Sequence, residues 1–549
     1  MNLKTSIAVV GLAGAMALST ACSGANTGPS AAGVDRAADP VDLHLTPTTA
    51  QAKGEVSNVN WLLEDEPDSL DLDTQGGSAG RTVLTNVCER LFQLQPDMTA
   101  RPFLARTATS PDAKTLVLAL RDDVSFHDGS RMTADDVLFS LKRHADPKME
   151  QSDEFENVAG MAKTGEHEIT ITFRQPDALF TKALAGDAGF VYNRKLVEKA
   201  GQDFGTPGQD DACSGPYRLK DWKSGDSIVI ERNDSYWGAK PLTEQVVFRW
   251  ADAAATVNAL KTGAADGTYA DSLGTAAALR GAEGLDQYYG PSTAALSLIP
   301  TERGGLSDPD IRKALSLVLD RAGIAKSGYS GLVSPWATPV GPGAWGYEKA
   351  TFAAAQKQLT GAPASPDAAD TAAAKKLVEN AKAAPSGPIV IGTDGNQGRM
   401  VIANAVRAAL QRIGLKGQIK TVPAAEYGEF YGSPEARAEI DVLVADWYIS
   451  KSDPIGFYDN ALSDSSNNWV GFKSPAYDSK VKEAMRTLDD KQRAALVIDV
   501  ERQFSEAAVW IPIAQMPTAL VINDELTGPP ASMAYLYYPW AASLGAKRG

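Results

Sequence analysis

Alternating apolar and polar positions predict a strand pair near residue 120. In TLVLALRDDVSFHDGS, Leu116, Leu118 and Leu120 are followed by Val124 and Phe126, which is the period of half-buried strands. The Asp-Gly step of HDGS predicts a tight turn, because glycine adopts positive φ without steric cost. This pattern therefore predicts two strands followed by a turn.

The next residues have the pattern of a capped helix. Thr133 precedes ADDVLFSLKR, and Asp136 stands three residues later, as a capping box requires. Asp135 and Asp136 also lie where the helix dipole favours negative charge. The acidic residues around His127 therefore have a structural explanation, and we do not interpret them as a metal or acid–base site.

Similar patterns recur along the chain. Ser307, followed by DPDIRKALSLVLDR, predicts a capped helix, and RLKDWKSGDSIVIER predicts a hairpin that turns at Ser-Gly-Asp. Helices are predicted over 368–384 and 400–416, with strands at GPIVIGT and IDVLVADWYI. Helices that alternate with short strands predict layered α/β structure.

Length and charge narrow the class of protein. A chain of 549 residues is too long for one compact core, so we expect two or three domains. The formal net charge is -15, and no long basic run occurs. Nucleic acid is therefore not an expected partner, because its binding needs clustered lysine and arginine.

The first residues predict a signal peptide. Lys4 precedes an apolar stretch from Ile7 to Leu18, and small residues follow it. The stretch is shorter than the about 20 apolar residues that a membrane-spanning helix needs. We therefore assign residues 1–21 to a secretory signal peptide.

Cys22 follows Ser-Thr-Ala, as in a bacterial lipobox, in which this cysteine is acylated. The usual leucine three residues before the cysteine is replaced by Ser19, so plain cleavage and secretion is the alternative. Residues 22–54 begin with a small, polar, proline-containing stretch, which predicts a flexible tether.

Two further cysteines, Cys88 and Cys213, remain after Cys22. In an oxidising compartment an even pair suggests a disulfide, and two buried thiols are the alternative. No CxxC motif or cysteine–histidine cluster predicts a zinc site.

The chain has no recognisable catalytic motif. Its four histidines, His44, His127, His144 and His167, are scattered without ligand spacing. No GxSxG nucleophile elbow joins a predicted strand to a helix, and the sequence has no GxxxxGK[ST] phosphate loop and no GxGxxG that opens a helix. We therefore predict a protein that is not an enzyme and that uses no metal or cofactor. An extracellular hydrolase with paired carboxylates stays an alternative.

Six blocks together resemble a known family. LRDDVSFHDGSRMTADDVLFSLKR, CSGPYRLKDWKSGDSIVIERNDSYWG, VNALKTGAADG, DPDIRKALSLVLDRAGIAKSGYSGLVSPWATPV, NNWVGFKSPAYDSKVKEAM and ERQFSEAAVWIPI follow one another in the family's order. They resemble the extracellular solute-binding proteins of family 5, the oligopeptide-, dipeptide- and nickel-binding components of ABC importers. The resemblance extends over roughly residues 57–545.

The resemblance implies an α/β fold of the periplasmic-binding-protein type (type II), with a ligand cleft between two lobes. Lobe one is expected at 55–290 and 514–549, with an inserted subdomain at about 80–195. Lobe two is expected at 291–513. Such lobes close over a solute like a hinge.

The resemblance also suggests ligand-binding residues, and at these positions the chain departs from its pattern. Trp447 and Tyr448 are expected to line the cleft, with core packing as the alternative. Peptide-binding members usually hold the ligand amine with an aspartate three residues after this tryptophan, where this chain has Ser450. Asp453 is displaced by three residues, and it could hold an amine or cap the helix that starts nearby. Val444 replaces the arginine that meets a peptide carboxylate in oligopeptide binders.

Ser214 and Gly215 are expected to line the cleft near the hinge, with a disulfide from Cys213 to Cys88 behind them. Trp469 and Tyr458 are weaker candidates, because aromatic residues at these positions more often pack in the core.

These features lead to one principal hypothesis and its alternatives. The chain is expected to be a monomeric, lipid-anchored, extracytoplasmic receptor that passes a peptide or peptide-like solute to an ABC permease driven by ATPases. A scaffold or regulatory lipoprotein without transport is one alternative, which Ser450 and Val444 permit. A receptor for a non-peptide solute, such as a nickel chelate, is another.

Overall fold

A computed structural model describes residues 43–549 of the protein. The predicted signal peptide, Cys22 and the first part of the predicted tether lie outside these residues. The last part of that tether contacts the folded chain. Thr48 and Gly54 form isolated β-bridges to Pro530 and Ala546, and the N–H of Thr46 donates a hydrogen bond to the carbonyl of Tyr289. Residues 48–54 are thus held along the chain's C-terminal segment, and Thr46 is held against β12.

The strands are β1 Val59–Leu63, β2 Phe92–Leu94, β3 Ala100–Pro102, β4 Ala105–Asp112, β5 Thr115–Leu120, β6 Val158–Gly165, β7 Glu168–Phe173, β8 Tyr217–Lys223, β9 Ser227–Arg232, β10 Gln245–Trp250, β11 Gly267–Ala270, β12 Leu285–Gly290, β13 Ala295–Pro300, β14 Ser334–Pro335, β15 Ile389–Thr393, β16 Gly417–Thr421, β17 Val442–Trp447, β18 Ile511–Gln515, β19 Thr518–Asn523, β20 Leu526–Thr527 and β21 Gly545–Ala546.

The α-helices are α1 Ser78–Val87, α2 Ala134–His144, α3 Phe180–Ala183, α4 Arg194–Ala200, α5 Ala253–Lys261, α6 Leu273–Ala278, α7 Pro309–Val318, α8 Arg321–Tyr329, α9 Lys349–Gln356, α10 Ala368–Asn380, α11 Gln397–Arg412, α12 Ala424–Tyr427, α13 Glu429–Gly432, α14 Pro434–Arg437, α15 Ile455–Tyr458, α16 Pro475–Arg486, α17 Asp490–Glu506 and α18 Trp540–Ser543. Across residues 43–549 none of these helices is both long and apolar enough to cross a bilayer.

Two large mixed sheets form the body of the protein. The first has the strand order β12-β19-β11-β1-β10-β9-β8, and the second has the order β14-β18-β13-β17-β15-β16. In the second sheet β15 runs parallel to β16 and β17, and β13 runs antiparallel to β17 and β18. An antiparallel sheet, β4-β5-β7-β6, is built within residues 105–173. Each of the three sheets has its own buried apolar cluster.

The chain crosses between the two large sheets at two short connections. One connection lies between Gly290, which ends β12, and Ala295, which begins β13. The other lies between Gln515, which ends β18, and Thr518, which begins β19. The two sheets are therefore joined by neighbouring segments of only a few residues.

Most of the local predictions are confirmed. Helix α2 begins after Thr133, whose side chain accepts a hydrogen bond from the N–H of Asp136 in a full capping box. The preceding turn places Gly129 at a φ of 86°. The hairpin β8–β9 turns at Gly225, with φ of 77°. Helices α10 and α11 and strands β15 and β17 lie where the apolar pattern predicts them.

Two local predictions are wrong. Val124 and Phe126 are buried but belong to no strand, because Ser125 makes only an isolated bridge to Arg131. Strand β5 pairs instead with β4, which immediately precedes it, and with β7, which lies about 50 residues further along the chain. Helix α7 is capped by Asp308 and not by Ser307, since the Asp308 side chain accepts from the N–H two residues on.

Candidate ligand-binding site

A cavity of about 750 Å³ lies beside the end of β17 and the loop that follows it. Its volume is within the roughly 300–1,000 Å³ typical of small-molecule sites. One lining residue, Leu179, comes from the region of the β4–β7 sheet, and the others come from elements of the second large sheet. The cavity is lined by Leu179, Arg399, Tyr427, Tyr431, Asp446, Trp447, Tyr448, Ile449, Ser450, Lys451, Asp453, Gly456 and Asp459.

Aromatic rings form one wall of the cavity. The buried strand β17 ends at Trp447, whose ring lies 5.2 Å from that of Trp510 and 5.7 Å from that of Tyr431, between centroids. Trp447 is therefore fixed by packing on one side and borders the cavity on the other. Tyr448 is 58% exposed, although large aromatic residues are usually covered. This wall offers apolar area with polar edges to a ligand.

An arginine cluster forms the second wall. The Arg399 guanidinium donates from Nε and Nη2 to the Asp394 carboxylate, at 2.9 and 2.7 Å, and from Nη1 to Asp446 at 2.9 Å. It also lies 4.4 Å from the ring centroid of Tyr427. Burial works to raise the pKa of Asp394, but the Arg399 hydrogen bonds hold it below its ordinary value. The charge of Arg399 is therefore balanced within the protein.

Asp453 is held by internal partners. Its carboxylate is fully buried and accepts from Lys182 Nζ at 2.5 Å, with Arg493 Nε 3.4 Å away. It also accepts from the N–H of Ile455 at 3.2 Å, at the start of α15. Burial lowers the pKa of Lys182, and the charge of Asp453 opposes that effect. These contacts favour the structural alternative for Asp453, and they join α3 to the loop after β17.

A second cavity, of about 490 Å³, adjoins the first. Both cavities are lined by Leu179, Lys451 and Asp459. The Lys451 ammonium donates to both carboxylate oxygens of Glu154, each at 2.5 Å. Asp459 follows α15, and burial raises the pKa of its carboxyl to about 6.

Ser214 and Gly215 lie elsewhere. Neither residue lines the cavity at Trp447 in the described part of the chain. The Ser214 hydroxyl donates to Glu89 at 2.8 Å, and Tyr236 and Trp237 donate to the same carboxylate. Burial raises the pKa of Glu89 to about 7, and these three donors oppose the rise.

Backbone contacts occupy Gly215. Its N–H donates to the Val87 carbonyl at 2.8 Å, and its carbonyl accepts from His127 Nε2 at 3.0 Å. A Cβ at position 215 would collide with the Val87 carbonyl. The structure joins the neighbouring Cys213 to Cys88 by a disulfide, with 4.6 Å between the Cα atoms.

The remaining candidate residues have packing or scaffold roles. Trp469 is 3% exposed and contacts Trp447 with ring centroids 6.2 Å apart. Tyr458 is fully buried and donates to Glu501 at 2.5 Å. Within residues 43–549 no group of three histidine, cysteine, aspartate or glutamate side chains is arranged to hold a metal ion.

Several residues that line the cavity were not predicted from the sequence. Tyr427 and Tyr431 stand four residues apart, which would place them on one side of a helical turn. Asp459 is the one acidic residue in the otherwise apolar or amide stretch PIGFYDNAL. A lone carboxylate in such a stretch was the sequence feature that could have identified it as a candidate. Arg399 gave no comparable signal, since an arginine in the first turn of an amphipathic helix is ordinary.

Three comparisons place this geometry among known proteins. Residues 99–469 match the family described as bacterial extracellular solute-binding proteins, family 5 Middle. The periplasmic oligopeptide-binding protein OppA of Escherichia coli (strain K12) is 25% identical over 490 residues, covering 84% of this chain and 88% of that protein. The probable di/tripeptide-binding protein 5 of Pseudomonas aeruginosa (strain UCBPP-PA14) is 24% identical over 522 residues, covering 88% and 94%.

The crystal structure of the ABC transporter substrate binding protein CtaP from Listeria monocytogenes superposes with a TM-score of 0.76 at 20% identity. The superposition covers 90% of this chain and 100% of that chain. It confirms the two-lobed α/β fold that the sequence predicts.

Proposed function

The chain belongs to the bacterial extracellular solute-binding proteins of family 5, and from this premise we propose that it is the substrate-binding subunit of an ABC importer. It captures a peptide or peptide-like solute between its two lobes and delivers it to a membrane permease driven by ATPases. It acts as a monomer and catalyses no reaction. The relatives named for oligopeptide and di/tripeptide binding support this proposal, because they align with 84% and 88% of the chain.

The aromatic cavity is the observation that carries the proposal. It has about 750 Å³ of space, and its lining comes both from the loop after β17 and from Leu179 in the region of the β4–β7 sheet. A ligand between these parts would touch both and so favour their closed arrangement. Trp447 and Tyr448 would contact its side chains, and Ser450 would donate or accept a hydrogen bond.

We further propose that the lobes meet at the two chain crossings, with boundaries within 291–294 and at 516–517, because the boundary expected at 513/514 would divide β18. Hinge closure needs only a few residues that absorb the dihedral change, and both connections between the sheets are that short. The ion pairs Lys182–Asp453 and Lys451–Glu154 join the inserted region to lobe two. Ser214 and Gly215 then support the wall of lobe one without touching the ligand.

The proposed location is the outer face of the cell membrane, with Cys22 as the lipid attachment site. Cys22→Ser should release the protein from the membrane fraction into the soluble extracytoplasmic fraction, and an alkyne fatty acid should label only the parent protein. Equal release and no labelling of the parent would show that the protein is secreted without an anchor.

Native mass spectrometry tests the function. The protein lacking residues 1–22 is purified without denaturant, and the bound species are then released by denaturation and sequenced. A ladder of co-purified peptides is the expected result, and its lengths report the capacity of the cleft. An empty protein whose melting temperature no peptide library shifts would overturn the proposal.

A further inference from the structure

A peptide carries an ammonium group, and an enclosed ammonium needs a negative partner because an unpaired buried charge is costly. At the position three residues after Trp447, this chain has Ser450, which carries no charge. If the chain binds peptides as proposed above, another carboxylate must supply the partner. Each carboxylate that borders the two adjoining cavities is therefore a candidate.

Most of these carboxylates are already engaged. Asp453 is paired with Lys182 and Arg493. Asp446 accepts from Arg399, and Glu154 accepts from Lys451. Lys182 or Lys451 would lose its carboxylate partner if Asp453 or Glu154 turned to a ligand ammonium. Asp446 would give up its hydrogen bond from Arg399, which already shares its charge with Asp394.

Two exposed carboxylates on the second cavity, Asp153 and Glu156, offer little, since water screens charges at the surface. Asp177 is occupied as well, because it accepts from the N–H groups of Leu179 and Phe180 at 2.9 and 3.0 Å. It therefore fixes the start of α3.

Asp459 differs from all of them. Among residues 43–549 no side chain donates a hydrogen bond to its carboxylate, and no cation lies within ion-pair distance. The nearest positive charge, on Lys451, is shared with Glu154. Asp459 nevertheless lines both cavities, at the place where they adjoin.

We propose that the Asp459 carboxylate, at the junction of the two cavities, receives a primary ammonium group of the ligand. The proposal rests on the proposed function and names the chemistry of the ligand: a peptide with a free α-amine, or one with a lysine side chain. With the ammonium at the junction, the adjoining side chain lies in the aromatic cavity beside Trp447. The other cavity takes the rest of the chain or stays filled with water.

The test compares two peptide pools on two proteins. The pools contain random lysine-free tripeptides to pentapeptides, with a free amine in one and an acetylated amine in the other. The proteins are the parent and Asp459→Asn, and binding is measured by calorimetry and native mass spectrometry. Asp123→Asn is the control, because Asp123 is 50% exposed, pairs with Arg121 at 2.7 Å and, like its partner, lines neither cavity.

The expected result has three parts. Asp459→Asn weakens binding of the free-amine pool by about tenfold to a hundredfold, which corresponds to one lost charged hydrogen bond. Acetylation weakens binding to the parent by a similar factor and has little further effect on Asp459→Asn. Asp123→Asn binds as the parent does.

A third pool of acetylated peptides that contain lysine separates the two sources of the ammonium. If this pool binds the parent more tightly than it binds Asp459→Asn, the ammonium at Asp459 comes from a lysine side chain. If this pool does not bind, the ammonium comes from the α-amine. If the parent binds free and acetylated lysine-free pools equally and lysine adds nothing, the Asp459 proposal is overturned while peptide binding stands. If the parent binds none of the pools, the proposed function fails and the Asp459 proposal fails with it. The comparisons on the parent need no variant, so poor folding of Asp459→Asn would not hide the answer.

Discussion

The wall at Ser214 and Gly215 and the loop after Trp447 make an instructive pair. The family resemblance assigned both to the ligand cleft, but their polar atoms have different partners. Ser214 donates to the buried Glu89, and the backbone of Gly215 is bonded to neighbouring segments. In the loop, Tyr448 is 58% exposed and the Asp459 carboxylate has no side-chain donor among the described residues. The polar groups of the Ser214 wall thus have internal partners and belong to the scaffold, whereas Tyr448 and Asp459 border the cavity.

Asp453 shows that the two roles also divide the loop itself. It lines the cavity, but its charge is used by Lys182 and Arg493. The role of a residue is therefore decided by the partners of its polar groups and not by its position in the sequence.

The largest expected effect concerns Asp453. Asp453→Ala leaves Lys182 buried without a carboxylate partner and leaves Arg493 with Asp490 alone, so the free energy of unfolding should fall by about 3–5 kcal/mol. Urea unfolding followed by tryptophan fluorescence measures the change. Asp446→Asn is the control, since its half-exposed pair with Arg399 should contribute at most about 1 kcal/mol. An Asp453→Ala protein that is as stable as the parent but binds no peptide would return Asp453 to the class of ligand-binding residues.

The disulfide should give the next largest effect. Cys88→Ser combined with Cys213→Ser removes a link between residues 125 apart, so the free energy of unfolding should fall by about 2–4 kcal/mol. Peptide affinity should stay within a factor of about two, because additivity holds for separate sites. A large loss of affinity in a variant that remains folded would place this wall in the ligand site. It would contradict the assignment of the wall to the scaffold.

Trp447 and Ser214 form a direct contrast. Trp447→Ala should weaken peptide binding by on the order of 2 kcal/mol, as for buried aromatic anchors. Ser214→Ala should leave the dissociation constant unchanged and lower the free energy of unfolding by about 1–2 kcal/mol, through the lost hydrogen bond to Glu89. Calorimetry measures the dissociation constant of both variants, and urea unfolding measures their free energy of unfolding. Reversed results would assign the ligand to the wall of lobe one.

The smallest predicted effect is a dependence of affinity on pH. Asp459 has a pKa of about 6 because burial disfavours its charge, with Lys451 opposing that effect and Glu154 and Asp453 adding to it; the neighbouring Tyr477 hydroxyl is neutral in this range. Only the ionised carboxylate attracts an ammonium, so affinity for a free-amine peptide should fall as pH falls. Between pH 7 and pH 5 the expected loss is about tenfold.

The control for this pH dependence is Asp459→Asn, whose profile should be flat over the same interval. Glu89 and Glu501, with pKa values that burial raises to about 7, titrate in both proteins and cancel in the difference. A parent protein with a flat profile would contradict the role of Asp459.

Sequence alone predicted what depends on neighbours in the chain. The capping box at Thr133 and the turn at Gly129 follow from a few adjacent residues, and both are present. The pairing of β5 with β7 joins segments about 50 residues apart, and no local pattern shows that β5 takes this partner and not a strand through Val124.

The prediction of the binding site from sequence was limited in the same way. Trp447 could be nominated because it ends an apolar strand and matches a tryptophan of the family that the chain resembles. The engagement of Asp453 by Lys182 joins residues 271 positions apart, and no local pattern announces it. The free carboxylate of Asp459 is likewise visible only when the partners of its neighbours are known.

A crystal structure of the protein lacking residues 1–22, with a defined free-amine peptide bound, tests the central claim most directly. The account predicts electron density for the peptide beside Trp447 and Tyr448, with its ammonium nitrogen about 3 Å from the Asp459 carboxylate. A peptide bound against Ser214 and Gly215, or an ammonium group held by a different carboxylate, would contradict it.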